Sequence, residues 1–275
     1  MAEIVVEAGG VRLAGEESGE GTPVVLLHGL TATRRYVVMG SRALQRDGHR
    51  VVAYDARGHG ASSPAPSPEA YTYDDLAGDL LAVLDDRGID RALLAGASMG
   101  AHTLVRFALD HGDRVAGIVV ITPAFDPEDT QDEERRLARW DALSDGLREG
   151  GVEGFVEAYG TPRSPERWHD TIFKVLRQRL AAHEHPEALA DALKATPRSR
   201  PFPAVDSLAA IEAPTVVVAD RDDADPGHPL AIGEAYARTI PGAELVVEEE
   251  GKSPIAWQGS QLSKIVASVA ERADV

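Results

Sequence analysis

Residues 93–101 read Leu-Leu-Ala-Gly-Ala-Ser-Met-Gly-Ala, an apolar run that ends in Gly-x-Ser-x-Gly. A helical pattern follows at once through Leu104, Val105, Ala108 and Leu109. Strand, tight turn and helix in that order form a sharp elbow that lifts a serine hydroxyl above the end of a sheet. Gly96 and Gly100 remove side chains where strand and helix crowd the turn, and Ser98 takes the strained backbone position. The free N–H groups of the helix start lie beside it, favourable wherever negative charge develops. The pentapeptide alone is a weak signal in an Ala- and Gly-rich chain, where it also reads as a plain strand-to-helix connection with an incidental serine. Its flanks give it weight.

The rest of the chain supplies the sheet such an elbow needs. Residues 4–6 and 11–14 read as a hairpin around Gly9-Gly10. Continuous apolar runs at 23–27, 50–54, 92–95, 115–122 and 214–219 are the pattern of strands buried on both faces. A last strand is expected at 243–248. Helical patterns alternate with these runs: from Thr31 to about Arg46, from the Thr72/Asp75 start pair to Gly88, through Ile232, Tyr236 and Ile240, and through Leu262, Ile265, Val266 and Val269. The fold class expected is α/β, a mostly parallel, doubly wound sheet. From about Ala124 to Val205 no buried strand is read, only helical segments at 132–149 and 165–182 and a shorter one around Leu189 and Leu193. The expected division is therefore a core of residues 1–123 and 206–275 with a helical lid inserted at 124–205. Trp140, Trp168 and Phe173 line a substrate pocket or form the lid's own small core.

Composition narrows the chemistry. The chain has 275 residues and no cysteine, which excludes disulfides, thiolate zinc sites and cysteine nucleophiles. A net charge of −17 disfavours nucleic acid and anionic membranes as partners and leaves a small-molecule substrate as the expected one. The acidic opening residues and the lack of an apolar run approaching a membrane span point to a soluble, cytoplasmic protein. No ligand-like His/Asp/Glu spacing, phosphate-cradling loop or dinucleotide fingerprint is present, so neither metal nor cofactor is expected.

Four motifs, each at a strand end, follow one another: His28-Gly29, Asp55-x-Arg57-Gly58-His59-Gly60-x-Ser62, the Gly96–Gly100 elbow, and the acidic loop Asp220–Asp225. In this order they resemble the α/β-hydrolase superfamily, in particular its lidded serine esterase, lipase and C–C hydrolase-like members; the resemblance covers the core on both sides of the lid. It implies Ser98 as nucleophile and the backbone N–H groups of Leu30 and Met99 as oxyanion donors. His28 would fix its turn, and Asp55, Arg57 and His59 would be loop architecture. The acid is expected three residues past Ala219, at Asp222, with Asp223 and Asp225 as alternatives.

The base departs from the family pattern. Where Gly-His-Ser-Pro is usual before the last helix, this chain reads Gly251-Lys252-Ser253-Pro254, and all nine histidines lie at or before His228. Lys252 is one of only four lysines, which marks the position as a candidate base under constraint. As a base it needs a neutral amine, which a neighbouring carboxylate opposes, so a salt bridge is the competing reading. His228, in Asp225-Pro226-Gly227-His228, is the alternative base; its competing role is a surface residue at a helix start. His102 is expected to pack against the sheet, and the lid's His169, His183 and His185 reach the site only if the lid folds over it. Three functions remain open: a serine hydrolase for a small ester, lactone, thioester or activated carbonyl compound with a non-standard base; a cofactor-free lyase, isomerase or decarboxylase that stabilises an enolate; and a small-molecule-binding protein on a silenced site. Substrate identity and oligomeric state are not encoded in any motif.

Overall fold

Alternating apolar runs and amphipathic helices assemble into one eight-stranded sheet in a computed structural model that describes residues 2–130, 133–221 and 225–273. The strands are β1 (Ala2–Ala8), β2 (Val11–Ser18), β3 (Thr22–Leu27), β4 (His49–Tyr54), β5 (Ala92–Ala97), β6 (Val115–Ile121), β7 (Thr215–Ala219) and β8 (Glu244–Val247). Their order is β1-β2-β4-β3-β5-β6-β7-β8. The β1–β2 hairpin and the β2–β4 pair are antiparallel, and all other pairs are parallel.

Both faces of the sheet are covered. Helices α2 (Tyr73–Asp86), α3 (Met99–Asp110) and α7 (Leu230–Thr239) pack with Val25, Leu27, Leu94 and Val120 on one side. The short α1 (Ala43–Arg46) and α8 (Gly259–Ala270) cover Val24, Leu26, Leu93 and Val119 on the other. The start of α2 forms the capping box expected of Thr72 and Asp75, each side chain bonding the other's backbone N–H.

One expected helix does not form. Between Thr31 and Arg46 there is only a 3-10 turn, Arg34–Tyr36, before α1. Met39 and Gly40 take positive φ, 48° and 74°, and a right-handed helix cannot run through them. Val37 and Val38 still reach the core, which is why their spacing looked helical.

Between β6 and β7 come α4 (Glu133–Tyr159), α5 (His169–Leu180) and α6 (Pro186–Ala195). Asp132, where the pattern starts the first of these, lies outside the described residues. The α4 segment runs well past the expected 149 and kinks at Gly151, where φ is 60° and ψ is −144°. Leu143, Leu147, Phe155, Leu176, Leu180, Leu189 and Leu193 gather into one cluster with Leu30, Leu76 and Met99 of the core. This apolar cluster, more than the connecting chain, seats the insertion over the C-terminal ends of β3 and β5. No helix among the described residues is long and apolar enough to cross a membrane.

The crowding at the elbow is severe. A Cβ on Gly96 would overlap the Gly100 carbonyl, and one on Gly100 would overlap the Leu27 carbonyl of the neighbouring strand. Gly100→Ala is therefore expected to destabilise the protein by about 1–3 kcal/mol, read as a lowered thermal midpoint. Gly112→Ala, whose Cβ would meet nothing within 4 Å, is the control.

Candidate active site

Ser98 sits at φ 52° and ψ −112° between β5 and α3, half-buried. Neighbouring backbone holds it there: its N–H donates to the Ile121 carbonyl at 3.0 Å, and its carbonyl accepts the His102 N–H at 3.0 Å. Gly29 lies against it, close enough that an added Cβ would stand 3.5 Å from Ser98 Cβ. The turn after β3 thus faces the serine. The Met99 N–H is the first of its helix and has no carbonyl one turn back to accept it. Neither it nor the Leu30 N–H donates to a protein group among the described residues.

The loop after β4 builds the wall behind that turn. Arg57 is buried and forms a two-pronged pair with Asp79 at 2.7 and 2.8 Å. Asp55 accepts the Arg34 backbone N–H at 2.8 Å and pairs with its guanidinium. Both ring nitrogens of His59 face carbonyls at 2.8 Å, those of Arg57 and Leu30, so His59 ties the β4 loop to the residue beside Gly29. His28 Nε2 accepts the Ala56 N–H at 2.9 Å, and its Nδ1 donates to the Gly29 carbonyl at 2.9 Å. Burial drives the His28 pKa down to about 3, so the ring stays neutral. His102 is likewise held near 3 by burial; its Nε2 accepts the Ala124 and Phe125 N–H groups at 3.0 and 3.2 Å.

The side chain that meets Ser98 is His228. Its Nε2 lies 2.9 Å from Ser98 Oγ, and its Nδ1 lies 2.8 Å from Asp225 Oδ2. The sequence Asp-Pro-Gly-His explains how four consecutive residues deliver both groups. Proline and glycine at the two central positions favour a β-turn, which brings the side chains at its ends together. The His228 N–H closes that turn on the Asp225 carbonyl at 3.1 Å. Burial opposes a charge on His228, but the Asp225 carboxylate outweighs it and, with a smaller contribution from Asp220, raises the pKa above the ordinary 6.5. Asp225 responds in the opposite sense: burial would raise it, and His228 and Arg179 together hold it below the usual carboxylate range. The Asp225 carboxylate at ion-pair distance favours the proton on Nδ1, which leaves the Nε2 lone pair for the Ser98 hydroxyl.

Lys252 is elsewhere. Its side chain is 68 % exposed, with Nζ 3.9 Å from Glu249 Oε2 in the turn after β8. An ammonium there keeps its hydration, and the structure does not bring it to Ser98. Asp222 and Asp223 lie outside the described residues. The partnership of Asp225 with His228 is what reading along the chain missed. Its signal was local: an acid and a histidine at the two ends of a Pro-Gly turn.

A further carboxyl stands close by. Asp220, at the C-terminal end of β7, is 2 % exposed, and burial, then Asp225 and Glu248, push its pKa up to about 8.

Comparison with known proteins bears on the fold and the family. A family profile described as alpha/beta hydrolase fold matches residues 22–158. "Epoxide hydrolase A" of Mycobacterium tuberculosis is 40 % identical over 125 residues, which cover 44 % of this chain and 38 % of that protein. "Putative carbamate hydrolase RutD" of Variovorax paradoxus is 32 % identical over 208 residues, 74 % of this chain and 75 % of that one. The chain thus spans less than half the length of the first relative and three quarters of the second. A thermophilic esterase from Thermogutta terrifontis, solved with malate bound, superposes with a TM-score of 0.81 at 26 % identity, over 100 % of both chains.

Asp220 has a consequence for stability. Its folded pKa lies above the unfolded value of 3.8, so the folded state holds more protons between those values. Its contribution is present below pH 3.8 and is lost as pH rises toward about 8. Asp220→Asn, which keeps the shape without the charge, is expected to stabilise the protein at pH 8–9 and not at pH 4, measured by denaturant midpoints. Equal effects at both pH values would refute the assignment.

Proposed function

The chain belongs to the α/β-hydrolase fold family, and we propose that within it this protein is a serine hydrolase for a carboxylic ester or lactone, with Ser98 as nucleophile, His228 as base and Asp225 as acid. The observation that carries the reading is the meeting of three side chains, with Ser98 Oγ hydrogen-bonded to His228 Nε2 at 2.9 Å and His228 Nδ1 in ion-pair contact with Asp225 Oδ2 at 2.8 Å. A hydroxyl in a strained elbow, a neutral imidazole to take its proton and a carboxylate to orient that imidazole are the parts acyl transfer requires. The non-standard feature is where the base originates: the loop after β7, one turn from its own acid, in place of the loop after β8.

In the mechanism the structure supports, His228 Nε2 accepts the Ser98 proton as Oγ attacks the carbonyl carbon. The tetrahedral oxyanion is received by the N–H groups of Met99 and Leu30, whose positions are set by the helix start and by the His59 bridge. His228, now an imidazolium stabilised by Asp225, returns the proton to the leaving alcohol. Water then repeats the sequence on the acyl-enzyme, and Ser98 is regenerated. The helical insertion serves as a lid that excludes bulk water from these steps.

The test is covalent labelling with a phosphonate followed by intact-mass analysis. Wild type is expected to label stoichiometrically, Ser98→Ala not at all, and His228→Ala at least about 10³-fold more slowly. Lys252→Met is expected to label within about twofold of wild type, in line with its exposure. Loss of labelling in Lys252→Met with retention in His228→Ala would overturn the assignment.

The base must be neutral to act, and its pKa is raised. Activity is therefore lost as pH falls, and the acid limb of the kcat/KM profile is expected to have its midpoint above 6.5. A midpoint below that value would exclude a His228 held by Asp225.

A further inference from the structure

Helix α5 of the insertion carries Leu176, Arg179 and Leu180 at helical spacing, with His183 just beyond its end. Their neighbours place this face. Leu176 and Leu180 pack in the cluster that contains Leu30 and Met99. His183 Nδ1 accepts the Gly60 N–H at 2.9 Å, and its Nε2 approaches the Thr31 carbonyl at 3.4 Å. Arg179, between them, is turned toward the same floor. Its charge acts on His28, Asp225 and His228, which surround Ser98.

This guanidinium lacks the partner its surroundings call for. Burial lowers its pKa, and it has no ion pair among the described residues, in a chain with 45 acidic side chains. Its Nε is shut off from solvent without a hydrogen-bond acceptor. Tyr36 covers one face of the group at 5.1 Å, which leaves the N–H edge free. Asp225, the nearest carboxylate in its field, is committed to His228. A desolvated cation without a counter-ion is destabilising, and an anionic ligand at this position would complete the pair.

We propose that Arg179 is the anion-recognition residue of the Ser98 site, and that the substrate is an ester or lactone bearing a carboxylate. The proposal rests on the hydrolase reading above. The flat fork of N–H donors matches a carboxylate with two parallel hydrogen bonds, a fit a lone ammonium would not give. The insertion would then hold the anionic end while the sheet holds the reacting carbonyl. Closing the lid and recognising the substrate become one event, because α5 supplies both the apolar seat and the charge.

The test compares 4-nitrophenyl hydrogen glutarate with 4-nitrophenyl pentanoate, two acyl chains of equal length that differ in the terminal carboxylate. Wild type is expected to favour the glutarate ester by at least about tenfold in kcat/KM, mainly through KM. Arg179→Met is expected to bring that ratio to about one, and Arg179→Lys to retain part of it. General damage to the fold lowers both rates and leaves the ratio in place. In parallel, calorimetry measures monomethyl glutarate and methyl pentanoate on Ser98→Ala protein, where no turnover is required. Glutarate binding lost in Ser98→Ala/Arg179→Met supports the anion site even if no ester is hydrolysed, an outcome that counts against the hydrolase reading alone. A wild-type ratio at or below one, or a preference that survives Arg179→Met, overturns the anion site. Both esters turned over equally, with no glutarate binding, does the same and leaves the hydrolase reading standing.

Discussion

Everything at the C-terminal edge of the sheet depends on how closely β5 and α3 approach β3. Leu27 pairs with Gly96, and Gly100 sits against the Leu27 and His28 carbonyls with no room for a side chain. That contact forces the chain to reverse within one residue, and Ser98 takes the positive φ that the reversal demands. A non-glycine residue in that region stores strain, and it persists only where the surroundings over-determine it. Here the bonds to Ile121 and from His102 do so. The same approach sets Gly29 beside Ser98, so the serine and the turn after β3 are placed by one packing constraint.

The second constraint is local. In the loop after β7, Asp225 and His228 are separated by two residues and joined by a turn, so their geometry depends little on how distant segments dock. Only the reach from His228 to Ser98 spans the fold. The turn after β8 stands apart from this arrangement. Its lysine is solvated and pairs with a neighbouring glutamate at the surface. Keeping Asp225 charged and Asp220 protonated side by side is one electrostatic solution: two carboxyls in so small a buried volume do not both ionise readily.

The insertion is joined to the core by apolar packing and by neutral histidines. His183 is kept near pKa 3 by burial and accepts the Gly60 N–H, and the Glu184 N–H donates to the Gly60 carbonyl at 2.8 Å. His28, His59 and His183 form a row of rings with centroids 5.1 and 5.6 Å apart. Trp168 of the insertion meets Trp257 of the core edge to face at 5.4 Å. These contacts hold α5 against the loop after β4.

The amino-acid order alone determined the sheet, the elbow and the place of the insertion. Each is written in short-range patterns: apolar runs of strand length, helical spacing, and glycines two residues either side of Ser98. It also set Lys252 where the family resemblance implies a histidine. The helix expected at 31–46 does not form because Met39 and Gly40 take positive φ and break the backbone, which the apolar pattern does not reveal. Tertiary structure alone decided which polar side chains meet. Asp225 and His228 were legible as an alternative acid and an alternative base, but not their contact with each other or the reach from His228 to Ser98, 130 positions away in the chain. Arg179 was one arginine among many until α5 folded over the site. Hydrophobic periodicity is a property of neighbouring residues and survives in one dimension. Charge and hydrogen-bond partnerships act through space, and the distances that set them exist only once the chain has packed.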